Sequence, residues 1–566
     1  MLVAIACNAP LFNGIPGDML EFVRHHSLGL NWATAVVAAM LFWLASKVRA
    51  LFQADAAPVG RLRSVLLIAG LLLAGLALQF QVQRLRTAAW LHWEADWKVG
   101  PLPATGLEAS GFRIINTYTG GYLNDAYAVH DVGWLLANYD EATRSFHIHP
   151  HNKPPGSVLL LRVVITAVEA LPDSILRIGD RALEAFPGLN VAVAVLEDET
   201  VFTHPPDSAL PADEVISRRL AYPIVVMLVN LLLVSASTLA AIPIFYLARE
   251  LLGDAVQALW VAVAWLCHPG LLVMGPTFDQ LYPLLSSVLL LAAVWSRRVP
   301  YRLGPLLVGL LLALGLWFTP LFTILIPVCA VLAVWPRNED YTITTARLIP
   351  RCVLAMLAIV ATAAVPLLLL KLFTGFDYVA NFLAVSGTAG KGINLSNLAA
   401  QWHGLFNRTT RFHKPYIGAI FFNQYELALS CGLAAFTLGV VQTFGALKRV
   451  SCGLIAFALA VLQTIGAFKR VFAPWSEVFT RWARINRLDL FLLGTVGALL
   501  FLTVSGLMDY EACRLGLPLM PAVLIAAIGY LDKAFPNAKG RHVMLMTLGV
   551  LQLLWVMVIR EFMILT

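Results

Sequence analysis

Long apolar runs separated by short polar segments dominate the sequence. Most of these runs approach the roughly 20 residues that a helix needs to cross a hydrocarbon core about 30 Å thick. They occupy residues 29–47, 64–84, 221–247, 255–275, 280–296, 303–320, 321–335, 352–372, 416–447, 488–507, 516–532 and 543–561. Backbone groups find no water partners in lipid, so spanning segments of this kind are predicted to be helices. The predicted fold class is an all-α polytopic membrane protein with about 12 transmembrane helices.

Composition supports this fold class and argues against nucleic-acid binding, a disulfide framework and a structural zinc site. Of the 566 residues, 59% are hydrophobic and 13% are charged, with a mean hydropathy of +0.77, whereas a soluble domain carries about 25% charged residues. The net charge of +7 does not indicate nucleic-acid binding, because the Lys and Arg residues fall mainly in short loops between apolar runs. The seven cysteines are scattered without a CxxC spacing, which argues against a disulfide framework or a structural zinc site.

The distribution of basic residues predicts the orientation. Four loops share clusters of Lys and Arg and are predicted to be cytoplasmic: 47–63, 297–302, 336–351 and 533–542. Alternating passes then place the remaining long connections on the external face: 85–220, 275–280, 373–415 and 508–515. We divide the chain into an N-terminal segment, 1–63, with one extra transmembrane helix, and a core, 64–566.

Two apolar stretches do not fit a simple count of spans. Residues 157–171 are short and contain Arg162 and Glu169, so we predict a juxtamembrane helix at the interface. The alternative is a true span paired with a second one near 186–196. Residues 431–450 recur at 452–471 with 14 of 20 positions identical, and both copies end in Lys-Arg. The second copy is predicted to be an interfacial or re-entrant segment that arose by local duplication.

The first external loop, 85–220, contains most of the candidate chemistry. Residues 125–138 are predicted to form a helix with Asp125 near its start, where the carboxylate either caps the helix or points into a cleft. Further on, Lys153 directly precedes Pro154-Pro155-Gly156, a stiff turn that lacks two backbone donors. A cation held in this way at a membrane surface suits a lipid-linked phosphate.

Carboxylates and cations at helix ends on the same face extend this set. Asp279 follows Pro276 at the junction of two apolar runs. Glu511 and Arg514 are three residues apart at the mouth of an apolar helix and share one face. Glu426 lies at a similar helix mouth after the loop 373–415. Ionisable residues at membrane depth are costly and mark functional sites, although each of these also has a purely structural interpretation as a turn residue or an ion pair.

In this order and placement, the motifs resemble the GT-C class of membrane glycosyltransferases. The resemblance is carried by the acidic residue of the first loop, the Lys-Pro-Pro-Gly segment and the Pro-x-x-Asp junction. The stretch from Gly506 to Pro518, Gly-x-x-x-x-Glu-x-x-Arg-x-x-x-Pro, is similar to a bacterial branch that includes polyprenyl-phosphate mannosyl-, arabinosyl- and aminoarabinose transferases. The chain departs from the pattern where Asn-Lys precedes Pro-Pro and where no second acid adjoins Asp125.

The resemblance implies roles for individual residues. Asp125 would be the catalytic carboxylate, and Lys153 and Arg514 would hold the donor phosphate, with His151 an open alternative to Lys153. Substrate-binding positions would also include Asp279 and Glu511, and Glu426 is a further candidate. No cofactor or metal is expected, because two cations suffice for a monophosphate leaving group.

The resemblance also implies a partner and a location. The donor would be a polyprenyl-phosphate sugar and the acceptor a glycan, lipid or protein, at the periplasmic side of a bacterial cytoplasmic membrane. The alternative functions are a lipid or solute transporter or flippase, which predicts charges buried in mid-helix and inverted repeats, and an inactive family member.

Overall fold

The computed structural model describes most of the apolar part of the chain. The described residues are 20–22, 32–53, 61–83, 121–129, 131–143, 146, 153–185, 212–298, 303–334, 345–381, 416–464, 487–504 and 516–565. Within them the fold is helical, apart from one pair of three-residue antiparallel strands, β1 (Leu20–Phe22) and β2 (Met563–Leu565).

The helices fall into an N-terminal pair, a group from the first external loop and a large remaining bundle. The first two groups are α1 (Trp32–Gln53), α2 (Arg61–Gln83), α3 (Tyr122–Ala128), α4 (Val132–Ala137), α5 (Tyr139–Ala142), α6 (Gly156–Glu169) and α7 (Asp173–Ala185). The bundle begins with α8 (Ala212–Leu239), α9 (Ala241–Leu252), α10 (Ala255–Leu266), α11 (Pro269–Met274), α12 (Tyr282–Trp295), α13 (Leu303–Phe318), α14 (Ile326–Val334) and α15 (Thr345–Thr374). It ends with α16 (Tyr416–Cys431), α17 (Leu433–Thr464), α18 (Arg487–Val504), α19 (Met520–Ala534) and α20 (Ala538–Phe562). Short 3₁₀ turns occupy Phe278–Leu281, Ser296–Arg298, Pro320–Leu325 and Leu517–Leu519.

Eight stretches of the described chain are long and apolar enough to cross a membrane. They are Ala33–Gln53, Val65–Val82, Ala221–Leu252, Ala255–Val273, Phe278–Trp295, Pro350–Thr374, Leu517–Ala534 and Ala538–Met557. Two shorter apolar helices, Leu303–Phe318 and Pro320–Val334, lie among them. The prediction of an α-helical, multi-pass membrane protein is therefore confirmed, while the total of about 12 spans stays a prediction.

The burial of side chains differs across the bundle as a bilayer would require. The stretch Ala255–Val273 is 94% buried, whereas Pro350–Thr374 is only 17% buried. Exposed apolar side chains such as Leu368 and Phe373 cover the outside of α15. A surface this apolar is stable only against lipid or another protein, so α10 lies at the centre of the bundle and α15 at its lipid-facing periphery.

Three of the ion pairs in the described residues lie at one end of the bundle. Arg298 pairs with Glu250, and Arg541 pairs with Asp532. Arg449 of α17 donates from Nε and NH2 to the two carboxylate oxygens of Asp489, at 2.8 and 2.5 Å, and the Asp489 side chain is fully buried. Arg298 and Arg541 belong to two of the loops that the charge rule assigns to the cytoplasm, 297–302 and 533–542.

One prediction of helix boundaries was wrong. The single helix expected over 125–138 is two helices: α3 runs from Tyr122 to Ala128, and Asp131 caps the separate helix α4 by accepting from the Trp134 N–H at 3.0 Å. The second repeat copy was predicted to be an interfacial or re-entrant segment; its first part continues α17, which runs without a break from Leu433 through Ser451 to Thr464. Its placement relative to the membrane stays a prediction. The remainder of the second copy lies outside the described residues.

The segment predicted to lie at the membrane interface forms α6. With 14 residues it is about 21 Å long, which is shorter than the roughly 30 Å core of a bilayer. This length is compatible with the prediction that α6 does not cross the membrane as a single span. The alternative partner span near 186–196 lies outside the described residues.

Candidate functional site

Asp125 lies within a short helix that is buried on all sides. The N-cap of α3 is Gly121, which makes no side-chain cap hydrogen bond, and Asp125 occupies the first turn with only 1% of its surface exposed. Every residue from Tyr122 to Tyr127 is buried. Asp125 is therefore not the helix cap, and its carboxylate is held in a desolvated position, where a charge is stable only with compensating partners.

Lys153 lies further along the loop and is also buried, with 9% exposure. Its ammonium lies 5.7 Å from the centroid of the Tyr282 ring at the start of α12, a distance at which a cation is attracted to the face of an aromatic ring. Pro154 and Pro155 follow directly and lead into α6 at Gly156. The loop cation predicted from sequence is thus positioned against the transmembrane bundle rather than in open solvent.

Tyr139 of α5 connects the aspartate to the lysine. Its hydroxyl donates a hydrogen bond to the backbone carbonyl of Lys153 at 2.8 Å, and its ring packs edge-on against Phe376 at 5.2 Å. Burial raises the pKa of Tyr139, and the negative charges of Asp125 and Asp140 raise it further. The phenol therefore remains protonated at any physiological pH and keeps donating its hydrogen bond.

Asp279 approaches the same region through aromatic contacts. It lies in the 3₁₀ turn Phe278–Leu281 and is 3% exposed. Phe278, beside it, packs against Tyr122 at 5.3 Å and against Tyr282 at 6.3 Å. Because Tyr122 opens the helix of Asp125 and Tyr282 lies under Lys153, the elements that carry these three ionisable residues are in mutual contact.

The start of α6 fits closely against the end of α13. A Cβ on Gly156 would lie 2.4 Å from the carbonyl oxygen of Trp317, so only glycine allows this approach. The next residue, Ser157, is fully buried, and its hydroxyl has no hydrogen-bond partner in the part of the chain that the structure describes; the same is true of the Thr277 hydroxyl. The buried Ser157 hydroxyl and the N-terminus of α6 therefore lie beside the Lys153 segment.

The other predicted residues are placed differently. Glu426 is 2% exposed and lies on α16, which packs against α11, the short helix that precedes the turn of Asp279. His151, Glu511 and Arg514 lie outside the described residues. Pro518, at the end of the motif that contains Glu511 and Arg514, accepts a hydrogen bond from the Ser286 hydroxyl at 2.9 Å. That contact brings the motif's C-terminal end to α12, one turn from Tyr282.

Tyr139 and Tyr282 are the contributors that sequence reasoning missed. Tyr282 stood within the polar junction that contains Asp279, but nothing in the sequence paired it with Lys153. Tyr139 precedes Lys153 by 14 positions, and no periodicity predicts their contact. Among the described residues, no group of three His, Cys, Asp or Glu side chains is placed to hold a metal ion.

The site and the Arg298–Glu250 pair occupy different ends of the bundle. Tyr282, at one end of α12, faces Lys153, whereas Arg298, just beyond the other end, pairs with Glu250. No protein-family model, curated protein or solved structure matches the chain. The fold and site define an α-helical multi-pass membrane protein with buried Asp and Lys side chains collected at one end of its bundle.

Proposed function

We propose that this chain is a membrane glycosyltransferase of the GT-C type, which moves a sugar from a polyprenyl-phosphate donor to a hydroxyl acceptor. The site faces the external side, which is the periplasm if the membrane is a bacterial cytoplasmic membrane. The acceptor is a glycan, a lipid or a protein.

One observation carries the proposal: a buried carboxylate, Asp125, and a buried cation, Lys153, share the neighbourhood of Tyr139 at one end of an apolar bundle. Buried charges are expensive, and those not explained by stability mark functional sites. Sugar transfer releases a proton from the acceptor and leaves negative charge on the phosphate. A buried carboxylate can take the proton, and a buried cation can stabilise the phosphate.

In the proposed reaction, the acceptor oxygen attacks the anomeric carbon of the sugar while Asp125 takes the acceptor's proton as general base. The bond between the anomeric carbon and the phosphate oxygen breaks, and the phosphate leaves with both electrons. Lys153, together with Arg514, stabilises the negative charge that builds on that oxygen. Asp279 hydrogen-bonds the sugar or the acceptor, and the polyprenyl chain lies against the apolar helices.

The start of α6 supports the placement of the phosphate. The first backbone N–H groups of a helix have no partners within the helix and attract anions. Ser157, the second residue of α6, adds a buried hydroxyl beside them. The helix N-terminus carries only partial positive charge, and Lys153, three residues before the helix, adds a full positive charge for the phosphate.

The test is transfer from a radiolabelled polyprenyl-phosphate sugar in membranes that contain the full-length protein. Asp125→Asn should reduce the rate about 10²- to 10⁴-fold, the usual contribution of a positioned general base. Asp131→Asn is the matched control: Asp131 lies six residues away and caps α4 from an exposed position, and asparagine caps as well as aspartate. Its transfer rate should stay near that of the wild type.

Transfer that is undiminished in the Asp125→Asn protein would overturn the mechanism. If the wild type moves the labelled lipid across the membrane without breaking the sugar–phosphate bond, the chain is a flippase. If it does neither with any polyprenyl-phosphate sugar, it is an inactive relative of such transferases.

A further inference from the structure

Helix α7 presents four different surfaces around its axis. Leu176 and Gly179 are buried and lie on the side that packs toward the protein, where α7 contacts α8. Ile175 and Ile178 are exposed, by 40% and 56%. At about 100° per residue, these two isoleucines form one strip that adjoins the buried side.

Two arginines border the exposed isoleucines on the other side. Arg177 and Arg181 are both exposed and, four residues apart, lie on one face of the helix. They are about 60° to 100° around the axis from Ile178, whereas the exposed Asp173 lies about 140° away. The order around the helix is therefore buried apolar, exposed apolar, basic and acidic.

The position of α7 in the fold places this order at the membrane surface. The helix has 13 residues and is about 20 Å long, and its five charged positions exclude a span. It packs along α8, whose apolar part enters the membrane at Ala221. A helix beside that entry point, with apolar and basic strips next to each other, has the pattern of one that lies in the plane of the interface.

We propose that α7 binds the anionic phospholipids of the external leaflet. Ile175 and Ile178 contact the upper acyl chains, and Arg177 and Arg181 bind headgroup phosphates. From its interior outward, a membrane changes from hydrocarbon to phosphate to water, and the apolar, basic and acidic strips of α7 follow the same order. A protein partner would not require the basic strip to lie between the other two. The binding would hold the first external loop flat on the membrane and is independent of the proposed transfer reaction.

The depth of α7 is measured with full-length Ile178→Cys protein labelled with bimane in phosphatidylcholine vesicles whose acyl chains carry bromine. The labelled wild type provides the background from the native cysteines. Bromine should quench the probe at position 178 several-fold more than at position 173 in the matched variant Asp173→Cys. Equal or absent quenching at the two positions would overturn the proposal, including the case in which a second protein covers the isoleucines.

Lipid selectivity is measured by comparing brominated phosphatidylglycerol with brominated phosphatidylcholine at equal mole fraction. Phosphatidylglycerol should quench Ile178→Cys more strongly, with a preference of up to about five-fold per arginine. Adding Arg177→Gln and Arg181→Gln should abolish the preference, while Arg177→Lys with Arg181→Lys should keep most of it. A preference that survives in the double glutamine variant would show that these arginines do not bind the headgroups.

Discussion

At the scale of single residues, the site depends on a contact with the backbone of Lys153 rather than with its side chain. The Tyr139 hydroxyl donates to the Lys153 carbonyl, while the ammonium lies over Tyr282. Because the following two prolines restrict the chain, fixing this carbonyl also fixes the direction in which the lysine side chain leaves the loop. Tyr139 therefore acts as a positioning residue for the cation.

Tyr139→Phe removes the donor and leaves a buried carbonyl without its partner, which we expect to cost about 1–2 kcal/mol of unfolding free energy. The rate of transfer should fall through misplacement of Lys153. Thermal unfolding in detergent and the labelled-donor assay measure the two effects. The control is Tyr378→Phe, because the Tyr378 hydroxyl has no hydrogen-bond partner within the described residues. A Tyr139→Phe protein as stable and active as that control would contradict the positioning role.

Buried residues such as these mark the limit of what the sequence could predict. Asp125, Lys153 and Asp279 were identified because polar groups are conspicuous beside apolar runs. Their partners Tyr139 and Tyr282 were not, because an aromatic residue in a loop has the same sequence signature whether it faces lipid, water or a cation. The sequence also left open whether Asp125 caps a helix or points into a cleft, because an aspartate near a helix start suits both; the structure gives the cap of α4 to Asp131 and buries Asp125 within α3.

At the scale of helices, close packing at single glycines positions whole elements. Gly156 lets the start of α6 touch the last turn of α13, and Gly439 lets α17 approach α19 at Val523. The length of the apolar runs predicted where most of these helices lie, since length and hydropathy determine a transmembrane helix almost alone, but not their ends: the run 416–447 is divided between α16 and α17, which continues to Thr464. The close approaches were not predictable, because they depend on which helices are neighbours.

Gly156→Ala should destabilise the protein by about 1–3 kcal/mol, as overpacking of a close contact does, since the new methyl group would overlap the Trp317 carbonyl. Transfer should also fall, because the Lys153 segment must move with α6. The matched control is Gly497→Ala in α18, where nothing lies within 4 Å of the added carbon; alanine favours a helix, so Tm there should stay the same or rise. Equal effects of the two substitutions would mean that α6 and α13 are not in this contact.

The tandem repeat gives a second prediction for helices. The copies differ at Thr437, Val441, Phe444 and Leu447, which are exposed, and also at Ala434 and Gly439; of these six positions only Gly439 is buried in the first copy. Arg449 of the first copy already makes the ion pair with Asp489. Deletion of residues 452–472 should therefore leave the bundle intact, with Tm and transfer close to those of the wild type.

Deletion of residues 431–451 is the matched counterpart of equal length. It would bring Ala460 to the place of Gly439, where a Cβ lies 2.9 Å from Cγ1 of Val523 and 3.2 Å from its carbonyl oxygen. This protein should be less stable than the other deletion. Severe instability of the 452–472 deletion would show that the second copy contributes packing of its own.

At the scale of the whole molecule, the two ends of the bundle contain different kinds of residues. One end contains the ion pairs of Arg449 with Asp489 and of Arg298 with Glu250. The other collects the aromatic and ionisable residues of the candidate site. Since α12 connects Tyr282 near the site to Trp295 near the ion pairs, the two ends lie about 20 Å apart.

Arg449→Gln should lower the unfolding free energy by about 3 kcal/mol, because it removes the cation that pairs with both carboxylate oxygens of the fully buried Asp489. The transfer rate per folded molecule should not change, because the site is at the other end. Lys371→Gln is the control: it breaks the exposed pair with Asp377, and such pairs contribute little, so Tm should hardly move. A large loss of activity in folded Arg449→Gln protein would contradict the independence of the two ends.

The burial of α3 has a consequence for biosynthesis. The loop 85–220 leaves the ribosome well before the residues that cover it. Phe278 packs on the start of α3, Tyr282 lies under Lys153, and Trp317 packs against Gly156. The hydrogen bond from Ser286 to the Pro518 carbonyl joins positions 232 residues apart. Translation intermediates that end before Trp317 must therefore expose this loop to chaperones and proteases, and the site assembles only after most of the helices have been inserted.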